Sequence, residues 1–99
     1  MSDQGSDPTV RQLRHEISQV DRAILAVVNA RLELVARLKE HKDRNGLPFV
    51  DPDRERQLIA ELEAVNHGPL SAEGVRELYT ALLDLTKREV SRDGNAPDA

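Results

Sequence analysis

The sequence predicts an all-α protein with three helices per chain: one long, one short and one of medium length. Three observations support this prediction. Apolar residues recur at helical spacing, Gly and Pro interrupt the pattern at two connections, and no segment shows the alternation typical of a β-strand. We expect the three helices to form an intertwined helical-bundle homodimer.

The first helix is the element that requires a dimer. Residues 9–45 contain no Pro and no Gly, and Thr9 is a plausible N-cap. A helix of this length extends about 54 Å, whereas a compact domain of this size has a radius of gyration of about 13 Å. Its own chain cannot cover such a helix, so a second copy is the expected partner.

Apolar residues on this helix recur at alternating steps of three and four, as in the seam of a coiled coil. The position between Val27 and Leu34 that should be apolar is Arg31. A buried arginine needs an anionic partner, either a core glutamate or a ligand, unless it extends to solvent. The apolar seam positions are Val10, Leu13, Ile17, Val20, Ile24, Val27, Leu34 and Leu38.

Two further helices have their own start signals. Asp51-Pro52 supplies an N-cap and a first-turn proline, and Ser71 caps the third helix. Residues 9–91 form the predicted helical domain, and the polar residues 1–8 and 92–99 are expected to be disordered tails. The expected inner face of the second helix carries Leu58, Leu62 and Val65. That of the third carries Val75, Leu78, Leu82 and Leu85, and the residues expected to flank it are Tyr79, Leu83, Thr86 and Val90.

Composition narrows the range of functions. The chain has 99 residues, a net charge of −4 and no cysteine. Binding to a nucleic-acid backbone is disfavoured, and disulfide or thiolate chemistry is excluded. No apolar run reaches the length of a membrane span and the start has no signal-peptide core, so we expect a cytoplasmic protein.

Cationic side chains on the long helix are candidates for binding a small dianion. Lys42 follows Arg31 by three turns, about 16 Å along the axis, so the two could hold an anion between them. Arg14 is about 25 Å from Arg31 and could reach that ligand only from an antiparallel second chain. Taken alone, Lys42 is better interpreted as a solvated lysine and Arg14 as a surface arginine.

The start of the second helix is a second candidate cluster. Capping explains Asp51 but not Arg54, because a cation is unfavourable at a helix N-terminus unless an anion lies nearby. Glu55 leans to the apolar side, where it could accept from a hydroxyl or pair with Arg31. The sequence shows no nucleophile beside a base, no metal-spaced histidines and no phosphate loop, so an enzyme built on it would need no metal or cofactor.

Together these residues resemble the small all-helical chorismate mutases, whose three-helix chains form intertwined dimers. The resemblance covers about residues 10–90. It implies the Claisen rearrangement of chorismate to prephenate in aromatic amino acid biosynthesis, without cofactor or covalent intermediate. The motifs that carry it are Leu13-Arg14, Ile17-x-x-x-Asp21, Arg31, Lys42, Pro48 and Asp51-Pro52-Asp53-Arg54-Glu55-Arg56.

The resemblance also implies roles for individual residues. Arg31, Arg54 and Arg14 of the second subunit would surround the carboxylates and ether region of the dianionic substrate. Lys42 would hydrogen-bond a carboxylate and the ether oxygen. Asp51 and Glu55 would contact the ring hydroxyl.

The third helix departs from the family pattern at one position. The family usually has Ser or Thr, and four residues later a Gln that donates to the breaking ether bond. Thr86 fits the first position, but Val90 occupies the second. Loss of such a donor can cost about 3 kcal/mol in the barrier.

Several alternatives therefore remain open beside an ordinary chorismate mutase. The chain could be a slow mutase or one completed by an activating enzyme partner. It could also act on a related substrate, as a mutase of 4-amino-4-deoxychorismate or an isochorismate pyruvate lyase. A non-catalytic helical dimer that binds an enzyme is the alternative from a different class.

Overall fold

A computed structural model gives the architecture of the chain and describes residues 7–95, with side chains described for residues 7–92. Within this range there are three α-helices and no strand. They are α1 (Pro8–Arg44), α2 (Pro52–Val65) and α3 (Ala72–Asn95). The prediction of an all-α chain with a long, a short and a medium helix is confirmed. The outer parts of both predicted tails lie outside the described residues.

The N-cap of α1 is Asp7, so the prediction that Thr9 caps this helix is wrong. One carboxylate oxygen of Asp7 accepts from the backbone N–H groups two and three residues later, at 2.8 and 3.1 Å. Pro8 then occupies the first helical position, where it needs no N–H partner and its fixed φ suits the helix. The Asp-Pro start signal recognised at Asp51-Pro52 therefore occurs twice in the chain.

The end of α1 agrees with its Asn45-Gly46 stop signal. Gly46 has a φ of 68°, a conformation that glycine adopts without steric cost. The N–H of Leu47 donates to the carbonyl of Lys42 at 2.8 Å, and that of Gly46 to Asp43 at 3.4 Å. These bonds form a Schellman motif, which turns the chain back across the last turn of α1.

The predicted caps of the other two helices are confirmed. Asp51 accepts from the N–H of Arg54 at 3.1 Å, and the Ser71 hydroxyl accepts from the N–H of Gly74 at 2.9 Å. α3 continues to residue 95, past the predicted boundary at residue 91. No proline lies between Ser71 and Pro97, so no residue of this stretch removes a backbone N–H from the helix.

Contacts divide the chain into two units. The first ends at Glu33 and, in its described part, consists of the N-terminal portion of α1. The second begins at Leu34 and contains the remainder of α1 with α2 and α3. Within the second unit, α2 packs against α3.

The buried face of α3 differs from the predicted one. Val75 is buried and Leu82 and Leu85 are half-buried, but Leu78 is 52% exposed. The other buried positions belong to the residues expected to flank the face: Leu83, Thr86 and Val90. The predicted stripe advanced about 3.3 residues per turn, whereas a regular helix needs 3.6 to stay on one face. The predicted stripe therefore drifted away from the packed side of the helix.

The inner face of α2 is also only partly as predicted. Leu58 and Leu62 are half-buried, as expected, and so is Ile59, which was not assigned to the face. Val65 is 66% exposed, so its assignment to the inner face is wrong in the single chain. It is the last residue of α2. Glu63, two residues earlier, still pairs with Arg76 of α3, so Val65 is exposed because of the side of the helix on which it lies.

The apolar seam of α1 is exposed in the single chain. None of the residues of α1 is buried. Its seam leucines, isoleucines and valines from Leu13 to Leu38 are 47% to 64% exposed. Single exposed apolar residues are common on protein surfaces, whereas these residues recur at the regular spacing of a packing face.

A pair of identical substitutions can test the assignment of the core. Val75→Ala removes two methyl groups from a site that is 4% exposed, whereas Val65→Ala removes them from one that is 66% exposed. We expect Val75→Ala to lower the free energy of unfolding by about 2 kcal/mol, measured by urea denaturation. Val65→Ala makes the same chemical change at an exposed position, so it serves as the control and should stay within about 0.5 kcal/mol of the parent. Equal losses from both variants would contradict this core.

Candidate active site

Lys42 is held at the turn that follows α1. It is half-buried, and its ammonium donates to the backbone carbonyl of Phe49 at 3.4 Å. The interpretation of Lys42 as a solvated lysine is therefore wrong. Lys39, one turn earlier, lies 5.7 Å from the centroid of the Phe49 ring and pairs with Asp43 at 2.9 Å. The Schellman turn thus places two ammonium groups around one aromatic residue.

The positive charge of Arg54 at the start of α2 is compensated by a carboxylate of the same helix. One carboxylate oxygen of Asp51 accepts the capping hydrogen bond from the N–H of Arg54. The guanidinium of Arg54 lies 3.7 Å from the Glu61 carboxylate, and both side chains are more than half exposed. Glu61 therefore supplies the anion that a cation in the first turn of a helix lacks. Because an exposed ion pair contributes little, Arg54 can leave it for a ligand at small cost.

Glu55 has a partner that sequence reasoning missed. Lys87 of α3 approaches both of its carboxylate oxygens, at 3.1 and 3.3 Å, and the two side chains are 28% and 31% exposed. The expected protein partner was Arg31. The two residues are 32 positions apart in the sequence, so their pairing depends on how α2 packs against α3. The only sequence feature that could have indicated this pair is a basic residue beside the inner face of α3.

Thr86 and Val90 lie one turn apart on the buried side of α3, and each is 3% exposed. The Thr86 hydroxyl donates to the carbonyl of Leu82 at 2.7 Å, a local bond that fixes its rotamer. Val90 has only methyl groups at its end. These two positions therefore carry one hydroxyl and one apolar side chain.

Arg14 and Arg31 belong to the first unit. Arg31 is half-buried and Arg14 is exposed. Seventeen residues of α1 separate them, which corresponds to about 25 Å along the axis. They are too far apart in one chain to touch the same small molecule. The other six candidates belong to the second unit: Lys42, Asp51, Arg54, Glu55, Thr86 and Val90.

A cleft of about 170 Å³ opens between α2 and α3 beside Glu55. Its walls include Ile59 and Leu83 from the packed faces, and Arg56 and Asp84 from the rims.

No cluster of three His, Asp or Glu side chains in the described part of the chain is arranged to hold a metal ion. Among residues 7–95, no helix combines the length and the apolarity that crossing a membrane requires.

Comparison with known proteins identifies relatives of this chain. A T-protein from Enterobacter agglomerans is 42% identical over 70% of this chain and 21% of its own length. A bifunctional chorismate mutase/prephenate dehydratase from Aquifex aeolicus is 32% identical over 80% of this chain and 24% of its own length. The chain therefore spans less than a quarter of the length of these curated relatives.

Solved structures extend the comparison to the fold. Form II of chorismate mutase from Thermus thermophilus is 32% identical, with a TM-score of 0.81 over 85% of this chain and 96% of that one. Form I is 33% identical, with a TM-score of 0.77 over 79% of this chain and 98% of that one. The model of the family described as chorismate mutase type II matches residues 13–90. With most of its length covered by this match, the chain belongs to the chorismate mutase type II family.

Proposed function

We propose that this chain acts as a homodimeric chorismate mutase, an isomerase that converts chorismate to prephenate in aromatic amino acid biosynthesis. The observation that carries the proposal is the family match over residues 13–90. The relatives and the two solved chorismate mutases support the same function.

The reaction suits the side chains at hand. A Claisen rearrangement is pericyclic, so it transfers no proton to the protein and forms no covalent intermediate. The protein has to hold the substrate in its chair-like conformer and stabilise the negative charge that develops on the ether oxygen as the C–O bond breaks. Arg31, Lys42 and Arg54 supply cations for the carboxylates and the ether oxygen, and Thr86 lines the site beside Val90.

A second copy of the chain is the proposed cover for the apolar seam of α1. Side chains such as Leu13, Ile24 and Val27 are more than half exposed in the single chain. Burying an apolar side chain contributes about 1.5 to 3 kcal/mol, so several seam residues together favour association. An isologous dimer covers the seam of both copies with one arrangement.

The same dimer places Arg14 at the site of its partner. Arg14 and Arg31 are about 25 Å apart along α1, and a ligand of chorismate's size spans far less. In an antiparallel pairing of the two long helices, Arg14 of one copy approaches the Arg31 region of the other. Each of the two sites is then built from both chains.

The ring hydroxyl is the proposed ligand of Asp51 and Glu55. Asp51 retains one carboxylate oxygen beyond the cap, and Glu55 leans towards α3, where it meets Lys87. These two carboxylates would determine whether the protein prefers the ring hydroxyl of chorismate or the ring amine of 4-amino-4-deoxychorismate.

An activating enzyme partner and a cytoplasmic location stay predictions. The fused mutase and dehydratase named for the Aquifex relative is the observation in favour of such a partner.

An assay of the purified protein tests the function directly. The protein is incubated with chorismate, 4-amino-4-deoxychorismate or isochorismate, and the product of each is identified by mass spectrometry. Formation of prephenate from chorismate is the expected result. Release of pyruvate from isochorismate would instead identify a lyase, and survival of all three substrates would favour the non-catalytic helical dimer.

Arg31 can be separated from a merely structural arginine by substitution. We expect Arg31→Ala to lower kcat/KM at least about 100-fold, because it removes a cation that stabilises the transition state. Arg37→Ala, on the exposed face of the same helix, is the matched control and should retain activity. Circular dichroism and light scattering should show a helical dimer for both variants. Loss of folding in Arg31→Ala would indicate a core ion pair instead.

The shared site makes a quantitative prediction for mixed dimers. Arg14→Ala and Arg31→Ala homodimers should both be inactive, since each lacks one arginine at both sites. Unfolding and refolding them together at equal amounts should produce heterodimers with one intact site, restoring about a quarter of the parent activity. If both arginines served the same site from one chain, every site in the mixture would remain defective and no activity would return.

Position 90 allows the missing family donor to be restored. Val90→Gln should raise kcat/KM about tenfold or more by donating to the ether oxygen. Val90→Met matches the length of glutamine without its donor and should not reproduce the gain. Since Val90 is 3% exposed, the thermal midpoint of both variants should be measured alongside. Equal activities of the two variants would show that no donor is required there.

A further inference from the structure

The Glu55–Lys87 pair is one of two ion pairs that join α2 to α3 in the described part of the chain. In the other, Arg76 lies 3.2 Å from Glu63. The pairs differ in surroundings. Arg76 is 54% exposed, whereas Glu55 and Lys87 are 28% and 31% exposed. Lys87 contacts Glu55, a residue of the proposed site, whereas Arg76 is about three helical turns away from Lys87.

We infer that Lys87 is a positioning and specificity-determining residue, which holds the Glu55 carboxylate for a hydroxyl on the substrate ring and disfavours an ammonium there. This inference rests on the proposed function, in which Glu55 contacts the ring substituent. Lys87 itself acts through Glu55 and needs no contact with the substrate.

The positioning role follows from the geometry of the pair. The Lys87 ammonium lies within 3.3 Å of both Glu55 oxygens. A carboxylate has about four lone-pair sites, so accepting from one ammonium leaves acceptor capacity for a substrate hydroxyl. The pair also limits the rotamers of a long, flexible glutamate. A carboxylate that is already oriented need not lose that freedom when the substrate binds.

The specificity role follows from charge. The Lys87 ammonium at 3.1 Å compensates the charge of the Glu55 carboxylate. A substrate ammonium bound to the same carboxylate would lie about 5 Å from that of Lys87, since each donor sits about 3 Å from its acceptor. The two positive charges would repel each other, and such juxtapositions are costly at partly buried sites. A hydroxyl carries no charge and meets no such repulsion.

Asp84 is a second carboxylate near this pair and must be included in the charge count. It lies 3.7 Å from the Lys87 ammonium, but its side chain is 60% exposed. Solvent and salt screen it more than Glu55. Lys87 therefore acts mainly on the less exposed carboxylate, and the preference for a neutral ring substituent remains.

Substitution of Lys87 tests the inference with two substrates. The kcat/KM for chorismate and for 4-amino-4-deoxychorismate is measured for the parent chain, Lys87→Met, Lys87→Arg and Arg76→Met. We expect Lys87→Met to lower the value for chorismate about tenfold, and to shift the preference towards the amino substrate about tenfold. Lys87→Arg keeps the charge and should keep the preference. Arg76→Met removes the other ion pair between the same helices and should leave the preference unchanged.

Thermal midpoints and light scattering of all four proteins separate a positioning role from a structural one. An unchanged substrate preference in Lys87→Met overturns the inference, as does an equal shift in Arg76→Met. If the parent chain converts chorismate while Lys87→Met behaves like it, only the role of Lys87 fails. If the parent chain converts neither substrate, the proposed function and this inference fail together.

Discussion

The apolar seam of α1 is a surface that a stable molecule has to cover. It extends along a helix of 37 residues, none of which is buried in the single chain. The small core between α2 and α3 cannot compensate for so much exposed apolar surface. The proposed dimer would cover the seam of both copies. Arg31, which interrupts the seam, is half-buried in the single chain.

The candidate site is assembled from ordinary structural devices. The Lys42 ammonium donates to the Phe49 carbonyl, Asp51 caps α2, and an ion pair between α2 and α3 holds Glu55. Each of these interactions also stabilises local structure, so the polar groups are oriented before a ligand arrives. Preorganised charges of this kind are what a rearrangement without proton transfer requires. Val90 stands out because it contributes packing without polarity.

Much of the fold and part of the site could be predicted from residue order. Helix ends depend on contacts between nearby residues, so Asn45-Gly46, Asp51-Pro52 and Ser71 were interpreted correctly. The cap at Asp7 was missed although it carries the same Asp-Pro signal. The spacing of Arg31 and Lys42 with the Asp51–Arg56 run indicated the family, which the match over residues 13–90 confirms.

Local signals in the sequence predicted the three helices, the caps of the second and third, an apolar seam on the first and a set of candidate cations. Three features follow from packing and are absent from the local signals: which side of α3 is buried, the bond from Lys42 to the Phe49 carbonyl, and the pairing of Glu55 with Lys87. These outcomes depend on the rotation of one helix against another and on side chains far apart in the chain. A rotation of one residue, about 100°, exchanges buried and exposed positions while leaving every local signal unchanged.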